Sequence, residues 1–205
     1  MKKIVFATGN EDKVREIQEM VGDRLEVVAM KSIGFDEEID ENGTTFMDNS
    51  AIKAKAVADY IKANRSDMLD AIVLADDSGL EIDYYDKKPG VYSHRWLGDM
   101  SYTEKMQEVI DDMKDVASEK RGCRFVCSMS AVVLPDELIQ VQDTVEGIVH
   151  DKIIGDNGFG YDPFFFVPEF GCTTAQMTPE QKNEISHRGK ALRHILAQLE
   201  PYFGA

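Results

Sequence analysis

The chain has 205 residues, 43% of them hydrophobic, which is enough for a buried core in one domain or a two-lobed one. Its 23 Lys and Arg against 38 Asp and Glu leave a formal net charge of -15, which opposes general attraction to nucleic acid or anionic lipid, so any anionic ligand must be drawn by local cations or a metal. Three cysteines, Cys123, Cys127 and Cys172, make neither a disulfide framework nor a four-ligand zinc set. On a strand over 124–133, Cys123 and Cys127 share a face about 13 Å apart at ~3.3 Å per residue, too far for a disulfide, so they read as small apolar fillers in a reducing compartment. The apolar run after Met1-Lys2-Lys3 stops at Thr8-Gly9, short of the ~7 residues of a signal segment. With no transmembrane run either, a cytoplasmic location is expected.

Ile4-Val5-Phe6 predicts a buried strand, broken at Gly9 and followed by helical spacing at Val14, Ile17 and Val21. The free amides and dipole at the start of such a helix welcome an anion, and Lys13 adds a cation one turn in. The same stretch also fits a helix merely capped by Asn10, with Lys13 on the surface. Both readings stand at this point. Leu25 to Ala29 predicts a second strand, and Asp36 to Gly43 an acidic loop. Phe46 to about Asn64 predicts a long helix with Ile52, Ala56 and Tyr60 on one face, and with Asn49 and Lys53 four apart on another, within reach of one ligand or simply exposed.

Ala71 to Ala75 predicts a buried strand ending in Asp76-Asp77-Ser78-Gly79. Two carboxylates there need compensation, for which a hard divalent cation is the usual agent, and the same residues also fit a turn closing a hairpin to Leu80-Ile82. The loop Lys87 to Gly98 carries Tyr92-Ser93-His94-Arg95-Trp96, and Tyr102 to Met113 predicts a helix whose stripe is Met106, Val109, Ile110 and Met113. Arg124–Leu134 and Leu138–His150 predict a long hairpin over Pro135-Asp136-Glu137, with Gly147 as a candidate bulge. Gly155 to Asp162 is glycine-rich but leads into a strand at Phe164-Val167, so it is not a dinucleotide-binding turn. Exposed Phe159, Tyr161 and Asp162 in that loop suit a planar heterocycle, although aromatic residues before a strand are often core. Thr178-Pro179 opens a helix that pauses at Ser186-His187-Arg188-Gly189 and resumes along Leu192, Ile195, Leu196 and Leu199.

Taken together and in order, Thr8-Gly9-Asn10-x-x-Lys13, Glu41-x-Gly43-x-Thr45-Phe46-x-x-Asn49-x-x-x-Lys53-Ala54, Ala75-Asp76-Asp77-Ser78-Gly79-Leu80, Pro89-Gly90-Val91-Tyr92-Ser93, Gly158-Phe159-Gly160-Tyr161-Asp162-Pro163 and Ser186-His187-Arg188-Gly189 closely resemble the inosine triphosphate pyrophosphatase family, also called XTP/dITP diphosphatases. The resemblance runs from residue 3 to about 200. It implies a single domain over 1–205 of the α/β class, with an elongated mixed β-sheet flanked by helices and two lobes with an active-site cleft between them. It further implies a homodimer and magnesium-dependent hydrolysis of the noncanonical purine nucleotides ITP, dITP and XTP to the monophosphate and pyrophosphate. The partner expected is thus a small nucleoside triphosphate, with neither nucleic acid nor membrane.

Residue by residue, the resemblance implies that Thr8, Gly9, Asn10, Glu11, Asp12, Lys13 and Lys53 hold the triphosphate. It implies that Glu41, Asp76 and Asp77 bring in Mg2+, that Asp77 accepts the proton of the attacking water, and that Ser78 touches phosphate or sugar. Phe159, Gly160, Tyr161, Asp162, Lys182, His187 and Arg188 would form the base pocket. Two departures from the family pattern stand at Asp48, where a glutamate is usual, and at Ser50, where an alanine is usual. A donor such as Arg188 pairs with a 6-oxo group but not with the amino group of adenine; guanine also has the 6-oxo group, so Arg188 alone does not reject GTP.

Overall fold

A run of apolar residues at the start of the chain builds the first buried strand, β1 (Lys3–Phe6), and the computed structural model describes residues 2–204, with the backbone alone for Asp12 and Glu16. Helix α1 (Glu11–Val21) and strand β2 (Glu26–Ala29) follow, then helix α2 (Phe46–Asn64) and strand β3 (Ile72–Ile82). Next come helix α3 (Tyr102–Asp112) and strands β4 (Gly122–Val133), β5 (Glu137–Val149), β6 (Phe165–Val167) and β7 (Cys172–Thr173), and the chain closes with helices α4 (Pro179–Ile185) and α5 (His187–Phe203). The strands form one mixed sheet in the order β2-β1-β3-β4-β5-β6-β7, flanked by helices. β1 pairs in parallel with β2 and β3, whereas β6 runs antiparallel to β5 and β7. Apolar runs such as Ile72 to Ala75 belong to strands buried on both faces, the usual condition of parallel pairs.

The chain divides into two compact units. The first comprises residues 2–77, Ser128–Gln142 and 191–204. Its core gathers Val5, Val73 and Ala75 from the sheet against Ala54, Val57, Ala58 and Ile61 of α2. The buried face of α2 is therefore the one through Ala54, Val57 and Ile61; the predicted stripe of Ile52, Ala56 and Tyr60 lies on its half-buried flank. Ser50, on the buried face, meets Ser130 Oγ at 2.7 Å, and Gln140 donates to both Ser130 Oγ (3.0 Å) and the Met47 carbonyl (3.1 Å). A hydroxyl at position 50 thus has a buried partner, as a buried polar group requires.

The second unit comprises Ser78–Cys127 and Asp143–Lys190. Met106, Val109, Ile110 and Met113 form the apolar stripe of α3 as predicted, packed with Leu80, Phe125, Phe164 and Phe165. Ser101 caps this helix in a reciprocal pair with Glu104. The buried Arg121 guanidinium donates to three backbone carbonyls, those of Val149 (2.8 Å), Met113 (3.2 Å) and His150 (3.1 Å).

Two local expectations change, and a third gains a steric reason. β3 does not end at Asp76 but runs on to Ile82, so Asp76 to Gly79 is neither a strand end nor a turn. β5 passes through Gly147 as one strand; a Cβ there would lie 2.6 Å from the Phe165 ring and 2.7 Å from the Phe166 carbonyl, so close approach accounts for the glycine. The pause between the last two helices is confined to Ser186, whose ψ of 150° is extended, and α5 starts at His187. The three cysteines are free, and no helix among the described residues is long and apolar enough to cross a membrane.

Candidate active site

In the first unit, the turn after β1 is organised by short polar side chains. The Asn10 amide donates to Thr8 Oγ1 at 3.1 Å, and Asn10 Oδ1 in turn accepts from the Lys13 amide at 3.4 Å, so Asn10 caps α1. Thr8 is buried, while Gly9, Asn10 and Glu11 are exposed around the helix start; the side chain of Asp12 lies outside the described residues. Lys13 is not a free surface cation. Its ammonium donates to both oxygens of the buried Asp76, at 2.9 and 2.8 Å.

Asp77 faces a different set of groups. Consecutive residues of a strand point to opposite faces, and because β3 continues through this stretch the two carboxylates part company. Asn49 Nδ2 donates to Asp77 Oδ2 at 3.2 Å, and Lys53 Nζ lies 3.5 Å from Asp77 Oδ1 and 2.8 Å from Glu41 Oε2. Asn49 and Lys53, four apart on α2, thus meet on one carboxylate. Asn49 also accepts from the Gly43 amide at 2.8 Å, and a Cβ on Gly43 would stand 2.6 Å from that same Oδ1. Hence the glycine in the acidic loop.

Burial raises the pKa of Asp77 above the ordinary carboxylate value; Lys53 and the Asn49 hydrogen bond oppose the rise, and the charges of Glu41 and Asp76 add to it. For Lys53, burial works against the ammonium, but Asp77, Glu41 and Asp76 outweigh it and hold the pKa above the usual lysine value. Asp77 is therefore more basic than an ordinary carboxylate and stands beside a lysine whose charged form is favoured.

Asp48 does not join this cluster. It sits at the third position of α2 and accepts from the Thr45 amide at 3.2 Å while Thr45 Oγ1 accepts from its own amide at 3.0 Å, a reciprocal cap. A shorter acid suffices for that task.

Among the described residues no group of three His, Cys, Asp or Glu side chains stands close enough to hold a metal ion. Glu41 and Asp77 do converge, on one ammonium. Two hard oxygen donors of this kind fit magnesium, which takes one or two carboxylates together with substrate phosphates and water rather than a full protein cage. Asp76, expected as a third ligand, is engaged by Lys13.

The second unit carries the glycine loop. Phe159 is 66% exposed, with Lys182 Nζ 5.0 Å and Arg188 Cζ 5.7 Å from its ring centre. Tyr161 and Asp162, expected at the surface, are 4% and 2% exposed. The Tyr161 hydroxyl donates to the Ser93 carbonyl at 3.0 Å and its ring packs edge-on to Tyr102. Asp162 accepts from Lys182 (2.6 Å), Thr174 Oγ1 (2.8 Å) and the Phe159 amide (2.8 Å), so it shapes the loop from inside. Gly158 at φ 78° and Gly160 at φ 64° occupy the left-handed region, and a Cβ on Gly158 would lie 2.2 Å from Asp162 Oδ2. His187 stacks on Phe125 at 5.1 Å. Ser78 Oγ is buried without a hydrogen-bond partner among the described residues, a donor in want of an acceptor.

Two residues with no assigned place gain one. Asn49 stands in the ordered motif and in an i, i+4 pair with Lys53, and its link to Asp77 spans 28 positions. Lys105 lies buried on α3, four residues before Val109 on the apolar face, a spacing that signals an inward lysine.

A profile of the Ham1 family matches residues 4–198. A dITP/XTP pyrophosphatase of Clostridium perfringens is 39% identical over 202 residues, covering 98% of each chain, and one of Bacillus subtilis is 38% identical with the same coverage. Among solved structures, the Staphylococcus aureus Ham1 protein superposes with a TM-score of 0.86 at 33% identity, over 98% of this chain and 99% of its own. A HAM1 protein from Coxiella burnetii gives the same score and identity, over 98% and 100%.

Proposed function

Because the chain belongs to the Ham1 family, we propose that it is a nucleoside triphosphate pyrophosphatase that hydrolyses ITP, dITP and XTP to the monophosphate and pyrophosphate, with magnesium. The observation that carries the reading is the convergence of Asn49, Lys53 and Glu41 on Asp77, a partly buried carboxylate that burial makes more basic than usual. Asp77 takes the proton of the attacking water. Lys13 and Lys53 bind the triphosphate, which competes with Asp76 and Glu41 for their ammonium groups, and the exposed start of α1 adds the positive end of its dipole. Glu41 and Asp77 would hold magnesium, which would supply charge neutralisation on the phosphates. Asp76 is assigned to that set by family resemblance alone.

In the second unit, Phe159 offers its face to the purine ring and Arg188 donates to the 6-oxo oxygen, with Lys182 and His187 beside them. An ATP base leaves such a donor unpaired, at a cost of about 1 to 3 kcal/mol per buried group. A cytoplasmic homodimer belongs to the same proposal, and sedimentation of the purified protein tests the dimer.

The test of the activity is incubation with ITP, dITP, XTP, ATP and GTP plus magnesium, with pyrophosphate and orthophosphate measured separately. Pyrophosphate from the first three is expected. Orthophosphate as the sole product, or no turnover of any of them, overturns the reading.

A further inference from the structure

Lys105 is 3% exposed, and its ammonium has two contacts: the His94 carbonyl at 3.2 Å and the face of Tyr102, 5.4 Å from the ring centre. No carboxylate is paired with it among the described residues. A buried charge of this kind is costly and in want of an anion. Tyr102 connects it to the glycine loop, since its ring lies edge-on to Tyr161 at 5.1 Å and its Cε1 would stand 3.6 Å from a Cβ on Gly160. Among the described residues, the other charged and titratable groups here are His94 and Arg95 on the segment that holds Lys105, Lys182 and Arg188 beside Phe159, Asp162 bound to Lys182, the hydroxyls of Tyr102 and Tyr161, and His187 on Phe125.

The bases of inosine and xanthosine nucleotides differ in a way that charge can read. Hypoxanthine is neutral at physiological pH, whereas xanthine, with two ring carbonyls, gives up a ring proton below neutrality and becomes an anion. Resting on the reading that this loop binds the purine, we propose that Lys105 is a specificity residue, a buried cation behind the base loop that favours the deprotonated xanthine base over neutral hypoxanthine. A unit charge acting over a distance on the order of 10 Å, through protein rather than bulk water, shifts such a preference by about three- to tenfold.

Calorimetric binding of the monophosphates XMP and IMP, at about pH 5 and about pH 7.5, tests this without dependence on turnover. The XMP-to-IMP affinity ratio of the unmodified protein is expected to rise with pH as xanthine ionises. Lys105→Gln keeps a donor for the His94 carbonyl but no charge and should lower the ratio at pH 7.5 by about three- to tenfold. Lys105→Met should do the same, and Lys105→Arg should restore the ratio. A purely structural role would weaken both ligands together and leave the ratio where it was, which overturns the proposal, as does a ratio that is the same at both pH values. Hydrolysis of neither triphosphate, with the pH-dependent XMP preference intact, removes the proposed activity and leaves the Lys105 assignment standing. Binding of neither monophosphate removes both.

Discussion

Lys13, one turn into α1, donates to both carboxylate oxygens of Asp76, 63 residues away on β3, at 2.9 and 2.8 Å. A buried carboxylate is tolerated here because an ammonium from the neighbouring helix answers it. Lys13→Met withdraws that partner and is expected to lower the unfolding free energy by about 3 kcal/mol, the low end for a broken buried pair because the Lys13 side chain is itself 24% exposed. Lys13→Met combined with Asp76→Asn should recover most of the loss. Urea unfolding of the two variants decides the matter, and a single variant as stable as the parent protein removes this account of Asp76.

Asp77→Asn should fold as the parent does and lose nearly all turnover of ITP, since the amide cannot accept the proton of the attacking water. Asn49→Ala leaves the acid in place but frees its Oδ2 and the Gly43 amide, so kcat should fall by roughly 10- to 100-fold with less effect on KM. Steady-state kinetics with magnesium present reads both. Near-normal turnover by Asp77→Asn would falsify the assignment of the proton acceptor.

Arg188→Ala should narrow the preference for ITP over ATP if Arg188 is, as proposed, the donor that distinguishes a 6-oxo from a 6-amino group. The loss corresponds to about 1 to 3 kcal/mol, or roughly 5- to 150-fold in the ratio of kcat/KM values. If that ratio does not move, Arg188 has no part in base selection.

Arg121 binds three carbonyls with one planar fork, joining the end of α3 to the end of β5. Arg121→Met leaves these carbonyls without that donor and should cost about 3 kcal/mol of stability, seen as a lower denaturation midpoint. Arg121→Lys should recover less than half, because one ammonium does not reproduce the fork. Full rescue by lysine would show that charge alone matters there.

Asp48 has its pKa lowered chiefly by its hydrogen bond with the Thr45 side chain; desolvation opposes the drop, and the Thr45 amide and Thr44 reinforce it. A depressed folded-state pKa means that the ionised acid stabilises the fold above the unfolded value of 3.8, and that this contribution fades as pH falls through the lower, folded value. The stability gap between the parent and Asp48→Ala should therefore be present at about pH 6 and shrink below about pH 4. Denaturant unfolding across that range tests the sign; a gap that widens in acid contradicts the cap.

The local pattern along the chain determined a good deal. Hydrophobic spacing and end signals placed β1, α2, the stripe of α3, the β4–β5 hairpin and the Thr178 cap, because strand and helix periods and capping groups act over a few residues. The ordered polar residues carried the family as well. What they left open was which groups face each other. Asp76 and Asp77 looked like one acidic pair while the strand was taken to end there; the continuing strand turns them to opposite sides, one to Lys13 and the other to Asn49 and Lys53. Tyr161 and Asp162 looked like a binding surface until packing on Ser93, Thr174 and Lys182 drew them inside and left Phe159 outside. Periodicity assigns a residue to a face of its own element. Only tertiary contact, between residues tens of positions apart, supplies the partner that decides whether a charge is buried, paired or available for chemistry.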